Sequence, residues 1–340
     1  MNKKRILFLY TELADYIVHC INLAAPSLYF KVIHWPINKE APFKLKLSSV
    51  FVEKQETSLN DLLSFKPEFV LISGWIDADY LKWIKKLTGI KVLTMDTQWK
   101  GNLKQILGAN IFRLFHKRNF DLAWVTGNQQ VAFAEKLGFK SKLIFTGFYS
   151  ANKAYFDELF KEREQQKQER KILYLGRYVK HKGVFELWEA FIELVNEGFS
   201  DWKLVCAGTG DQWGNRMEHP NIEHLGFVQP TEMESVVLNT SVYVLPSHVE
   251  PWGVSVHEMA AAGLPMILSH EVGSAEKFLV EGENGFSFPA KNKEALKEAL
   301  RKMMRKPPEE LAEMGSKSNQ LAQSITPQKW VETMMKIVEY

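Results

Sequence analysis

The chain has 340 residues, 46% hydrophobic and 24% charged, with 20 glycines and 13 prolines; this excludes a disordered or low-complexity protein and leaves room for two domains, each with its own core. The net charge of +3 argues against a dedicated nucleic-acid binder, and no nucleic-acid partner is expected. That total hides an asymmetry: residues 1–165 hold 24 Lys+Arg against 16 Asp+Glu, while the remainder holds 19 against 24, so the basic half suits an anionic molecule or membrane surface.

In chain order, short apolar runs alternate with helical patterns. RILFLY (5–10), FVLISGW (69–75), KVLTMDT (91–97), LAWVT (122–126) and KLIFTG (142–147) punctuate the first half. KILYLG (171–176), WKLVCAG (202–208), VYVLP (242–246) and PMILS (265–269) punctuate the second. Near-continuous apolar runs of this length suit strands covered on both faces, as in a parallel sheet. Between them, stretches such as GVFELWEAFIELVNEG (183–198) repeat apolar residues every three or four positions, as an amphipathic helix does. The pattern predicts an α/β fold, doubly wound, twice over.

The run Ile6–Tyr10 is interrupted by Thr11 and Glu12, too short for a signal peptide or a membrane span. A cytoplasmic protein is expected, at most peripheral on the inner face of the membrane. Cys20 and Cys206 lie too far apart in sequence to suggest a disulfide framework or a zinc cluster and are expected to be buried apolar residues. The charged stretch DELFKEREQQKQERK (157–171) reads as a solvated helical connector, with a domain cut near 165. The expected division is 1–165, 166–322, and a closing helix in 323–340.

The first strand is followed by TELADYIV, without the glycines a dinucleotide-binding turn requires. The second half does place glycines after its strands: Gly176, Gly208, Gly210 and Gly226. In GRYVKHKG (176–183), Arg177 and Lys182 lie in the loop leaving a strand, with Gly183 opening a helix. Such cations above a helix N-terminus can clamp a diphosphate, Arg as a planar fork and Lys as a point charge. In EPWGVSVHEMAAAGLPMI (250–267), Glu250 sits in a loop and Glu258 on a small-residue helix. The spacing alone is weak, since Glu189 and Glu197 share it; the turn and strands around it make the difference. Asp77-Ala78-Asp79 matches a metal-binding pattern but reads better as a helix cap.

EPWGVSVHEMAAAGLPMI resembles the acid-x(7)-acid signature of GT-B retaining glycosyltransferases, in particular family 4, the glycosyl transferases group 1. GRYVKHKG is similar to that family's diphosphate loop, AGTGD (207–211) and LGFV (225–228) to its nucleotide-pocket loops, and GSAEKFLVEGENGF (273–286) to its following segment. The resemblance covers most of 171–290. The first half shares only strand rhythm, length and the ending KLIFTGFYSANKAYF (142–156).

The resemblance implies a GT-B fold: two Rossmann-like domains facing a cleft, the first binding acceptor and the second a nucleoside-diphosphate sugar, with the C-terminal helix crossing back to the first. It implies transfer of a hexose to an acceptor hydroxyl, with retention and without a metal or other cofactor. Arg177 and Lys182 would neutralise the diphosphate, Glu258 would hold the ribose, and Glu250 would contact the transferred sugar. Trp252, Gly253 and Val254 would offer backbone amides, Gly208 and Gly210 would belong to nucleotide-pocket loops, and Phe227 and Val228 would lie by the base. Departures occur in the first half, where Thr11-Glu12-Leu13 stands in place of a glycine pair and Asp96 at or near a histidine common in relatives. Asp96 could orient an acceptor hydroxyl or support charge on the sugar, or serve as a turn residue; Trp75 and Trp99 could line the acceptor site or be core. The expected partners are a nucleotide-sugar donor, a carbohydrate or lipid-linked acceptor, and an anionic membrane surface. A nucleotide-sugar epimerase of the same fold and a non-catalytic nucleotide-sugar binder are the alternatives.

Overall fold

The computed structural model describes residues 3–340. The described residues divide into two compact units, 3–38, 44–150 and 327–340 in one and 39–43 with 151–326 in the other.

The first unit runs β1 (Arg5–Tyr10), α1 (Asp15–Ala24), β2 (Tyr29–His34), β3 (Phe51–Glu53), α2 (Leu59–Phe65), β4 (Phe69–Ser73), α3 (Ala78–Ile84), β5 (Ile90–Met95), α4 (Leu103–Phe115), β6 (Leu122–Val125), α5 (Asn128–Lys136) and β7 (Ile144–Phe145). Its sheet has the order β3-β2-β1-β4-β5-β6-β7, with every pairing parallel. Both faces are buried, which is why the strands are apolar at successive positions. Phe8, Trp124 and Phe148 lie in the cluster on one face, Leu9, Ile72 and Phe112 in that on the other.

The second unit runs α6 (Lys153–Glu164), β8 (Lys171–Leu175), α7 (Val184–Asn196), β9 (Lys203–Ala207), β10 (Ile222–Gly226), α8 (Met233–Val237), β11 (Val242–Leu245), α9 (Val254–Ala261), β12 (Met266–Ser269), α10 (Ala275–Phe278), β13 (Gly285–Phe288), α11 (Lys293–Met304) and α12 (Pro308–Ala322). Its sheet is β10-β9-β8-β11-β12-β13, again all parallel. Strand order reverses beside β8 and β11, so the loops leaving these strands meet at the crevice where doubly wound sheets bind ligands.

The chain closes with α13 (Pro327–Val338), which packs against α1 in the first unit. Trp330, Met334 and Ile337 join the Phe8 and Trp124 cluster, and the Trp330 indole donates to Phe148 O at 2.8 Å. Each such side chain contributes about 1.5–3 kcal/mol by burial.

The expected cut near 165 needs correction. The division falls between Ser150 and Ala151, and α6 belongs to the second unit rather than bridging the two. Its charges occupy one face only. The other buries Phe156, Leu159 and Arg163, and Arg163 donates to Thr240 O at 2.6 Å and to Val237 O. Redrawn along these lines, the first unit holds 22 Lys+Arg against 13 Asp+Glu and the second 21 against 27. Cys20 and Cys206 are both free and buried.

Candidate active site

The two motif stretches meet at the C-terminal ends of β8 and β11. The β8 loop leads through Arg177 and Lys182 to Gly183, whose φ of +68° starts α7 and whose missing Cβ would lie 2.2 Å from Pro246 O. Any side chain at Gly183 would therefore push the β11 loop away. His248 N donates to His181 O at 2.8 Å, and His248 Nε2 lies 3.1 Å from Glu186 Oε1. Lys182 Nζ pairs with Glu250, whose Oε2 also accepts from Ser247 Oγ at 3.1 Å. Glu250 is 8% exposed, so this pair is only weakly screened by solvent. Burial, then the Lys182 and Arg177 charges, holds His181 below the usual imidazole range.

The stretch 250–253 is pinned from behind. Gly273 N donates to Glu250 O at 3.0 Å and Ser274 N to Trp252 O at 2.9 Å, while Ser274 Oγ donates to Gly253 O at 3.1 Å. Gly253 then caps α9, whose first-turn N–H groups have no partner within the helix and give its start a partial positive charge. Trp252 is buried at the base of the loop, Val254 opens the helix half-buried, and Glu258 is half-buried one turn further on.

The β9 loop joins the same edge. A Cβ on Gly208 would lie 1.9 Å from Gly176 O, so only glycine allows the β8 and β9 loops to touch. Gly210 lies in that loop, and Tyr178 N donates to Thr209 O at 2.8 Å. Phe227 and Val228, after β10, are half-buried rather than core.

One contributor escaped the sequence reading. Residues 39–43, far upstream, belong to the second unit and lie on these loops. Glu40 Oε2 is 3.2 Å from Arg177 NH1, and Glu40 O accepts from Thr209 Oγ1 at 3.0 Å. Pro42 O accepts from Gln229 Nε2 at 3.0 Å, and the Phe43 ring meets Phe227 edge-on at 5.3 Å. INKEAPFK (37–44) carries no spacing or periodicity that signals this docking. Arg177 and Lys182, read as one clamp, are thus each partnered by a carboxylate, Glu40 and Glu250.

His257, beside Glu258, faces inward. Its Nδ1 accepts from Ala151 N at 3.1 Å and its Nε2 donates to Ala322 O at 3.2 Å, while its ring stacks on Phe278 at 4.5 Å. Burial pushes its pKa down to about 4, so it is neutral at physiological pH.

In the first unit, Asp96 follows β5 among tyrosines. Tyr149 OH donates to Asp96 Oδ2 at 3.4 Å, Gln130 Nε2 donates to Asp96 O at 2.9 Å, and burial raises the pKa of Tyr10, Tyr16 and Tyr149. Trp75 packs on Phe112 at 4.9 Å and Trp99 on Phe133 at 5.3 Å, so both lean on the core. Asp77 caps α3, accepting from Asp79 N and Tyr80 N, and pairs with Lys54 at 2.8 Å. The Asp-x-Asp pattern is thus a helix cap, as expected.

Residues 155–321 match the family model for glycosyl transferases group 1. The chain is 33% identical over 142 residues to a phosphatidyl-myo-inositol mannosyltransferase of Mycobacterium leprae, covering 39% of this chain and 37% of the relative. It is 27% identical over 187 residues to the capsular polysaccharide biosynthesis glycosyltransferase CapM of Staphylococcus aureus, covering 48% and 47%. The matched stretch thus spans less than half the length of these curated relatives. Anabaena HepE in complex with UDP superposes over 98% of this chain and 99% of its own, with a TM-score of 0.74 at 12% identity, which shows the shared fold. Residues 155–321 of this chain are thus similar to the glycosyl transferases group 1 family, and the chain has the GT-B fold of two Rossmann-like units.

Proposed function

We propose that the chain is a retaining, metal-independent glycosyltransferase that moves a hexose from a nucleoside-diphosphate sugar to an acceptor hydroxyl in glycan or polysaccharide biosynthesis. The observation that carries this reading is the convergence of the β8 and β11 loops, which sets Lys182 against Glu250 below the start of α9. In this reading Arg177, Lys182 and the first turn of α9 receive the diphosphate. As the C1–O bond to phosphate breaks, they stabilise the negative charge growing on the leaving oxygen. The acceptor oxygen bonds to C1 on the same face and its proton passes to the departing phosphate. Glu250 contacts the transferred sugar and Glu258 the ribose hydroxyls, with Gly208, Gly210, Phe227, Val228, Trp252, Gly253 and Val254 completing the donor site. The UDP named for the HepE structure supports a uridine or similar diphosphate donor. The acceptor, carbohydrate or lipid-linked, goes to the first unit, with Asp96, Trp75 and Trp99 as its contacts; the basic balance of that unit supports an anionic membrane surface beside it. No helix in the described residues is long and apolar enough to cross a membrane, so the association we propose is peripheral.

Donor hydrolysis and transfer measured on Glu258→Ala and Arg177→Ala test the assignment. Weakened donor binding or turnover is expected in both; normal affinity and normal turnover in both would overturn it.

A further inference from the structure

We propose that α4 is a docking helix that lies on an anionic phospholipid surface. This deepens the membrane reading above by naming the element that meets the lipid, and it is independent of glycosyl transfer. The inner face of α4 is satisfied, since Ala109 and Phe112 are buried and Phe112 packs on Phe120 and Phe139. On the opposite side Leu103, Leu107, Ile111 and Leu114 recur at intervals of four, four and three and stand 78%, 64%, 53% and 73% exposed, with Phe115 beside them. A helix in a globular protein ordinarily turns such a stripe to the core; here the stripe is open to solvent. Ile76, which follows the Trp75 that packs on Phe112, is exposed as well.

Charge selects the occupant. Residues 97–120 contain no Asp or Glu. On the helical wheel Lys104 and Arg113 flank the stripe on either side, both exposed, and Lys100 and Arg118 lie exposed just beyond the two ends. An apolar stripe interrupted only by the neutral Asn110, with cations as its charged neighbours, is the pattern of a helix lying in the lipid interface, where each cation near an anionic leaflet contributes attraction. A second copy of the same face would bring like charges together. Thirteen residues, about 20 Å of helix, can lie along a bilayer but cannot cross it. The helix follows directly on the loop that begins at Asp96, so docking would hold that loop near lipid-borne molecules.

Flotation of the full chain with vesicles of phosphatidylglycerol and phosphatidylcholine, compared with phosphatidylcholine alone, tests this. Expected are binding to the anionic vesicles about tenfold or more above the neutral ones, weakening with salt, and a loss of about a hundredfold in Leu107→Glu with Leu114→Glu. Lys104→Ala with Arg113→Ala should lose about fivefold per cation; these two side chains are exposed, so that variant remains decisive should the glutamate pair fail to fold. Absence of binding by the unaltered chain overturns the membrane reading as a whole. Vesicle binding that both variants retain overturns the assignment to α4, as does a dimer without lipid that the glutamate pair dissociates. Transfer to a soluble acceptor should be unchanged in both variants, which separates this test from the test of glycosyl transfer.

Discussion

Two pairs of glutamates share a spacing of eight positions, and their surroundings part them. Glu189 lies on α7 and Glu197 caps its C-terminus, both facing α11, where Lys293 is 3.4 Å from Glu189 and Arg301 is 2.7 Å from Glu197. Glu193 between them is held down to about 2 by hydrogen bonds from Lys293 and Lys297. Glu189 and Glu197 are exposed and Glu193 partly so, and such a ladder is screened by water. Glu250 and Glu258 instead flank a turn at the end of a buried sheet, with Glu250 enclosed by Lys182 and Ser247. Identical spacing on a helix surface gives solvated ion pairs, whereas at a strand-to-helix turn it puts one glutamate in the turn against Lys182 and the other one turn into the helix. What differs is the backbone between them.

The comparison would break most visibly at Glu250. Glu250→Ala is expected to lower turnover about 100- to 1,000-fold, the scale of removing one group that supports transition-state charge, measured as kcat with a nucleotide sugar. If Glu250→Ala retained full turnover, the two pairs would be functionally alike. His257 sharpens the same contrast through stability. Its folded pKa lies below the unfolded value near 6.5, so the unfolded chain takes up the proton first as pH falls. Stability is therefore full above about pH 6.5 and declines toward about pH 4, by up to about 3 kcal/mol. Urea unfolding of the unaltered chain and of His257→Gln across this range should show a shallower slope in the variant, with His181 and the other depressed histidines supplying the remainder. Next in size, Arg177→Ala should weaken UDP or GDP binding about 10- to 100-fold, the worth of charge-assisted hydrogen bonds, as read by calorimetry. Glu40→Gln, which removes the carboxylate held by Arg177, should tighten that binding by about threefold, in keeping with a partly exposed pair. Smallest of all, Glu189→Ala with Glu197→Ala should leave turnover unchanged and move the urea midpoint little, because solvent screens these pairs.

Legibility in the sequence followed the physics of each element. β1, β4, β5, β8, β9, β11 and β12 are covered on both faces and so read as apolar runs. β2 (YFKVIH) and β10 (IEHLG) carry Lys31 or Glu223 on their partly exposed faces, and β3 has three residues, so none of these three gave a continuous signal of its own, whereas the two-residue β7 lies inside the run KLIFTG. The donor-side loops were legible because glycine and proline mark where backbones touch: Gly208 must be glycine to lie against Gly176, and its absent side chain is a signal in itself. α6 was misread because composition averages its two faces, and its buried Phe156, Leu159 and Arg163 are outnumbered by surface charges. The docking of Glu40 on Arg177 joins residues 137 positions apart, and no local pattern encodes such a contact.

By itself the sequence determined two doubly wound sheets, the order of the loops on the second, and the residue types at its strand ends, because these depend on periodicity and on local backbone freedom. Tertiary structure alone decided where the chain divides, that residues 39–43 belong with the second unit, and that α4 turns an apolar stripe to solvent. The reason is that periodicity shows that a face is apolar, but only packing shows what, if anything, covers it. The charge asymmetry depends on the same packing: in the redrawn units the first goes from 24 against 16 to 22 against 13 and the second from 19 against 24 to 21 against 27, so the contrast between a basic and an acidic unit widens.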